Sequence, residues 1–274
     1  MNRILPRIQT LLLALFVSTF LNGCAIFGEP TELDETKGWQ AQRIYEVGAL
    51  AIADSDYDKA LGYFKKLTSR FPHGKYAIQA KLEIIYANYK KDDPVSTIAA
   101  ADRFIRLHPN HPNIDYAYYL KGLATFNERG IFKKLTRQNI NDRDPKSLKL
   151  SFASFKELIE RYPKSRYVKD ARFRMFYIVN TLAQHEMHVA RYYMNRTAYL
   201  AALNRAKYVL EYYPKSNTVE EALMTMISAY DYMDLTDLKE DAIRVLKTNY
   251  PKNPLLTGEI VKEERSWWEF WESL

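Results

Sequence analysis

The chain of 274 residues holds one cysteine, Cys24, and only nine glycines. A lone thiol cannot close an intramolecular disulfide, so no bridge staples the fold. Scarce glycine goes with the absence of a Gly-rich phosphate loop and of a G-x-S-x-G nucleophile elbow. After residue 23 no apolar run approaches the ~20 residues that cross a bilayer. Alternating apolar and polar runs flanked by turn residues, the mark of strands, are missing too. Charge of one sign is not concentrated either. Lys and Arg total 40 and Asp and Glu 33, for a formal charge of +7, and the signs mix along the chain. A nucleic-acid binder would gather its cations on one face, so nucleic acid is not an expected partner.

What is present begins with an address. Arg3 and Arg7 precede an apolar run from Leu11 to Leu21, and the run ends at "LNGC". That order is the order of an export signal. The last four residues resemble the lipobox of bacterial lipoproteins, with Asn22 departing from the small residue usual there. The resemblance implies removal of residues 1–23, an S-diacylglycerol and an N-palmitoyl group on Cys24, and retention at the outer membrane because Ala25 follows the cysteine. Several acyl chains on one residue anchor firmly where one chain would not. The alternative is an incidental cysteine behind an ordinary signal. Residues 24–38 then read as a tether. Without residues 1–23 the chain keeps 38 basic and 33 acidic residues.

The body of the chain repeats itself. Phe71-Pro72, His108-Pro109, Tyr162-Pro163, Tyr213-Pro214 and Tyr250-Pro251 punctuate it, and an alanine stands eight residues after each of the first four prolines: Ala80, Ala117, Ala171 and Ala222. Proline stops a helix, and Gly74, Asn113, Ser165 and Ser216 suit the turn or cap before the next. Between these points apolar residues recur at three and four, as with Tyr57, Ala60, Tyr63, Phe64 and Leu67. The expected fold is all-α, a solenoid of about five helix pairs. Gly48, Tyr57, Ala60, Phe64, Leu67 and Pro72 resemble the tetratricopeptide repeat, and Tyr118, Gly122, Phe155 and Pro163 repeat it with an insertion. Units 1 and 2 are expected over 39–108, unit 3 over 109–163 with its insertion at about 128–145, and units 4 and 5 over 164–251. An aromatic tail, 252–274, follows. A continuous pattern from Arg166 to Met194 predicts a long first helix in unit 4.

Stacked pairs of this type offer their first helices as a binding groove. Those helices carry Tyr86, Tyr89, Tyr116, Tyr118, Tyr119, Phe173 and Tyr177. Packing accounts for most such aromatics, and the rest are candidates to hold an extended peptide, since tyrosine brings area with little entropy to lose. Catalytic and metal sites are not expected. His185 and His188 in "QHEMH" fall one residue short of the HExxH spacing, and His108 and His111 straddle Pro109. Asp92 and Asp93 read as a helix start, where carboxylates complement the dipole. "NRT" at Asn195 matches a glycosylation pattern and is set aside.

Longer motifs narrow the reading. "DRFIRLHPNHPNIDYAYYLKGL" (102–123), "NDRDP" (141–145), "VARYYMNRTAYLAALNRA" (189–206) and the closing "WWEFW" are similar to the BamD (ComL-type) family of outer-membrane assembly lipoproteins. The resemblance implies a non-enzymatic scaffold and substrate receptor of the β-barrel assembly machinery, facing the periplasm. Its N-terminal repeats would receive unfolded outer-membrane proteins, including their C-terminal β-signal. Its C-terminal repeats would dock the last POTRA domain of BamA, and other lipoproteins of the machinery are further candidate partners. Arg196, beside Tyr192 and Tyr193, matches the arginine that the family turns toward an acidic POTRA surface. A solvated cation completing a helix dipole is the plainer role for Arg196, and capping by Asp142 or Asp144 the plainer role for "NDRDP". The rival function is a peptidoglycan-associated lipoprotein of DNA uptake, for which no wall-binding motif stands in the chain. A wall hydrolase would need a second domain, and the repeats leave no room for one. Trp267, Trp268, Phe270 and Trp271 suit packing on the last repeat or contact with a partner.

Overall fold

The computed structural model describes residues 34–126 and 145–257. The expected signal, Cys24, the insertion with "NDRDP" up to Asp144, and the tail tryptophans lie outside the described residues. Residues 34–40 are a short turn in which the Asp34 carboxylate accepts hydrogen bonds from the Thr36 N–H (3.1 Å) and hydroxyl (2.7 Å). The helical unit begins at Ala41.

Eleven helices follow among the described residues, with no strand. Unit 1 pairs α1 (Ala41–Ala53) with α2 (Tyr57–Arg70), and unit 2 pairs α3 (Lys75–Lys90) with α4 (Pro94–Leu107). Unit 3 pairs α5 (Ile114–Thr125) with α6 (Pro145–Arg161), and unit 4 pairs α7 (Val168–Asn195) with α8 (Tyr199–Tyr212). Unit 5 pairs α9 (Val219–Tyr232) with α10 (Thr236–Asn249), and the single turn α11 (Pro254–Thr257) comes last. Helices α1 to α10 each pack on the next in sequence, and first helices touch first helices: α1 on α3, α3 on α5, α7 on α9. This is the all-α chain of helix pairs that the punctuation predicts. The long helix of unit 4 runs for 28 residues.

Units 1, 2, 4 and 5 end by the same mechanism. The residue before proline is pushed out of helical conformation. Phe71, His108, Tyr213 and Tyr250 accordingly leave the helix at ψ between 46° and 75°. Their N–H groups still donate to a carbonyl four residues back, at 2.7–2.9 Å. The four alanines that follow the prolines are fully buried. Gly74 caps α3 with φ 99°, a conformation that costs a Cβ residue dearly. Ser165 and Ser216 sit in the turns ahead of the caps Tyr167 and Thr218.

Inside the pairs the contact is tight. A Cβ on Gly48 would lie 2.6 Å from the Phe64 ring, and one on Gly122 would lie 2.5 Å from Phe155. Glycine there admits a fully buried phenylalanine, and the two helices close on each other. Units 1, 2, 4 and 5 turn from first to second helix in one way. Ser55, Asp92, Thr197 and Asp234 are left-handed, with φ of 56–61°. The next residue's N–H then reaches the carbonyl five back, as Asp56 to Ala51 (2.8 Å) and Ala198 to Tyr193 (3.0 Å), which is the Schellman closure. Asp93 also caps α4, its carboxylate accepting from the Ser96 N–H at 2.9 Å, and hydrogen bonding by Ser96, through its side chain first and its N–H second, holds the pKa below the usual carboxylate value.

Candidate functional site

The first helices build a strip of tyrosines. On α1, Tyr45 lies 5.7 Å from Tyr76 at the start of α3, and its hydroxyl donates to Glu83 at 3.4 Å. Gln79 donates to the same carboxylate oxygen at 2.8 Å. Tyr86, one turn on, meets Tyr57 edge-on at 6.5 Å. The strip continues on α5, where Tyr116 and Tyr119 stand three apart and both stack on Tyr167, at 5.5 Å and 4.5 Å. Tyr167 sits in the turn before α7 and receives a hydrogen bond from Arg166 at 2.6 Å. The Tyr119 hydroxyl donates to Asp170 at 2.7 Å, and Arg174 donates to the same oxygen at 2.5 Å. The Arg174 guanidinium then covers the Phe126 ring at 4.9 Å, and Tyr177 meets that ring edge-on at 5.8 Å.

Electrostatics follow from that packing. Burial is the first cause that raises the phenol pKa of Tyr45, Tyr116 and Tyr119 above its ordinary value. For Tyr119 the hydrogen bond to Asp170 adds to it, and for Tyr45 the charge of Glu83 does. The hydroxyls of Tyr45 and Tyr119 are committed to acids within the fold, which leaves ring edges for a ligand. Of the aromatics expected in the groove, Tyr86, Tyr89, Tyr116, Tyr119 and Tyr177 are half-buried and Phe173 is 71% exposed. Tyr118 is not a groove residue here. It is only 3% exposed, packs on Tyr162 at 5.6 Å and points its hydroxyl at Glu157, on the α6 side of α5. Periodicity explains this, because residues 116 and 119 share a helical face and 118 lies about 200° from 116. Tyr45, Tyr76, Tyr167, Glu83, Asp170 and Arg174 join the strip without having been singled out in the sequence. Tyr76 and Tyr167 each stand four residues after a unit-closing proline, and that signal could have found them.

A second surface lies at the corner between α7 and α8. Arg196 caps α7, its N–H donating to the Tyr193 and Met194 carbonyls, so it does stand where a cation favours the dipole. Its guanidinium lies 5.0 Å from the centre of the Tyr192 ring, and Tyr192 is 51% exposed. Tyr193 meets Tyr192 at 5.8 Å. The structure therefore brings Arg196, Tyr192 and Tyr193 together. Neighbouring cations have acid partners, Arg191 with Glu221 and Arg205 with Glu186, whereas no carboxylate of the described residues pairs with Arg196. Beside the corner, Tyr193, Ala201, Asn204, Arg205 and Tyr208 line an open cleft of about 320 Å³.

The histidines pack or turn. His108 and His111 flank the Phe104 ring at 5.1 Å and 5.3 Å, and burial lowers the pKa of His108, followed by the charge of Lys81. No helix of the described residues is long and apolar enough to cross a membrane.

Comparison with known proteins extends the reading. The family described as outer membrane lipoprotein (YfiO) matches residues 38–246. A curated relative in Neisseria gonorrhoeae, outer membrane protein assembly factor BamD, is 40% identical over 96% of this chain and 99% of its own length. The protein of that name in Xylella fastidiosa strain Temecula1 is 36% identical over 90% of this chain and 84% of its own. In Vibrio cholerae the figures are 33%, 82% and 93%. Among solved structures, a MamA protein covers 82% of this chain at 15% identity with a TM-score of 0.37.

Proposed function

Because this chain belongs to the outer membrane lipoprotein family of the BamD assembly factors, we propose that it is a lipid-anchored, non-enzymatic scaffold and substrate receptor of the β-barrel assembly machinery. Cys24, carrying an S-diacylglycerol and an N-palmitoyl group, holds it to the outer membrane with its helices in the periplasm. The C-terminal units dock the POTRA domain of BamA through Arg196, Tyr192 and Tyr193. The tyrosine strip receives unfolded outer membrane proteins.

The observation that carries the docking role is the guanidinium of Arg196, laid on an exposed tyrosine and lacking an acid among the described residues. A planar cation on an aromatic face is suited to an acidic surface, because its fork of donors stays free to bind a carboxylate in two places. The strip supports the second role differently. Two of its hydroxyls, those of Tyr45 and Tyr119, are tied to Glu83 and Asp170, so the strip offers a ligand rings that are already ordered there.

Capture of partners by the tagged, lipidated protein in mild detergent tests the proposal. Wild type should bring down a POTRA-bearing barrel protein, and Arg196→Glu should lose it by more than about tenfold, the effect expected of a hot-spot residue. Equal recovery would remove Arg196 from the interface. Recovery of peptidoglycan or wall enzymes without a barrel protein would overturn the assembly role itself.

A further inference from the structure

The last unit exposes an apolar stripe that the earlier units do not. On α10, Leu235 at its cap, Leu238 and Val245 are 41, 45 and 45% exposed, and with the buried Ala242 between the last two they recur at three, four and three, within one arc of the helix. Counting back from each closing proline, positions six and thirteen hold Lys66 and Lys59 on α2, Arg103 and Ser96 on α4, and Glu157 and Leu150 on α6. On α8 they hold Tyr208 and Ala201, and there Tyr208 is covered by stacking on Tyr212 at 4.3 Å. Only α10 sets two large or branched aliphatics at both positions. Since the following unit does not bury these mostly polar positions in the earlier repeats, the apolar pair on α10 calls for a cover of its own.

We propose that this cover is the chain's own segment 258–274, with Trp267, Phe270 and Trp271 seated on Leu238 and Val245. The chain enters this segment from α11, whose Leu255 and Leu256 pack into the cluster that also contains Ala242 and Leu246 of α10. The segment therefore starts at the right place. Nine residues separate Thr257 from Trp267, enough to travel about 30 Å if extended and about 14 Å if helical, against roughly 21 Å for the whole of α10. Every point of the stripe is within reach. The composition fits as well: Trp267, Phe270, Trp271 and Leu274 recur at three and four, while five glutamates of the segment occupy other positions. Intramolecular docking keeps the effective concentration high without a partner.

Three of the four tryptophans lie in 258–274, the fourth being Trp39, so fluorescence reports on this segment directly. The full lipidated chain carrying Trp39→Phe should emit to the blue of free indole, resist quenching by acrylamide, and stay unchanged on dilution. Leu238→Glu with Val245→Glu should move emission to the red and raise quenching severalfold while helix content holds. Leu238→Met with Val245→Ile should keep the wild-type signal. Free-indole emission in the parent protein would overturn the proposal. So would emission indifferent to the glutamates, which would place the tryptophans in the micelle, and so would loss of the blue shift on dilution, which would indicate a second copy. If the glutamate pair loses helix, amide exchange decides. Trp267→Ala with Trp271→Ala should speed exchange along α10 about tenfold. Unchanged exchange would sink the idea.

Discussion

Tyr119 and Tyr192 stand on the first helices of successive units, and their surroundings are opposite. Tyr119 is stacked on Tyr167 at 4.5 Å, bonded to Asp170 at 2.7 Å and half-buried. Tyr192 shows half of its surface, touches Tyr193 at an angle and has Arg196 above its ring. In the strip, tyrosine is a structural element whose free edge can also bind. At the corner it is displayed. Where the hydroxyl is committed separates the two uses, and abundance of tyrosine does not.

The contrast can be broken most severely by truncation. Tyr119→Ala should lower unfolding free energy by about 3 kcal/mol, since ring stacking and a partly buried hydrogen bond go together. Tyr192→Ala should change it by under about 0.5 kcal/mol, in keeping with an exposed site. Equilibrium urea unfolding separates the outcomes, and similar losses would erase the distinction. Alkali should sharpen it next. Tyr116, Tyr119 and Tyr213 have phenol pKa values raised in the fold, chiefly by burial. Unfolded tyrosine titrates near 10. Their stabilising contribution is therefore complete below about pH 10 and is lost as pH climbs through the folded values, where the unfolded chain releases protons that the fold retains. The urea midpoint should fall more steeply above pH 10 in wild type than with Tyr116 and Tyr119 replaced by phenylalanine. Tyr119→Phe alone keeps the stack and removes the bond to Asp170, for a loss of about 1 kcal/mol at neutral pH. The smallest effect should come from the corner's backbone. Thr197 is β-branched yet left-handed at φ 57°, so Thr197→Gly should raise stability by roughly 0.5–1 kcal/mol in thermal unfolding.

Much of the fold is legible in the sequence because proline and alanine mark fixed places in each unit. A proline that cannot donate must end a helix, and the alanine eight residues later must be small because it is buried. Gly48 with Phe64 and Gly122 with Phe155 could be read as pairs for the same steric reason. The corner was also legible, since Tyr192, Tyr193 and Arg196 lie within one turn of chain. The strip was only half so. Tyr118 shares a first helix with Tyr116 and Tyr119, but helical spacing sends it to the other face. Tyr167 lies outside a helix, where only its place after the unit-closing proline marks it, and Asp170 meets Tyr119 across 51 positions of sequence. The left-handed turn residues are Ser, Asp, Thr and Asp, none of them the glycine that would announce such a turn.

The clasp across those 51 positions bears on loop length. It ties α5 to α7, while Gly122 and Phe155 lock α5 to α6, so the anchors on either side of residues 127–144 are held by contacts outside them. Closing a longer flexible loop between anchors already held costs only about 0.6 kcal/mol for each doubling of length. By that scaling, added length between these two anchors would cost the fold little, and the same stack of helices would be kept.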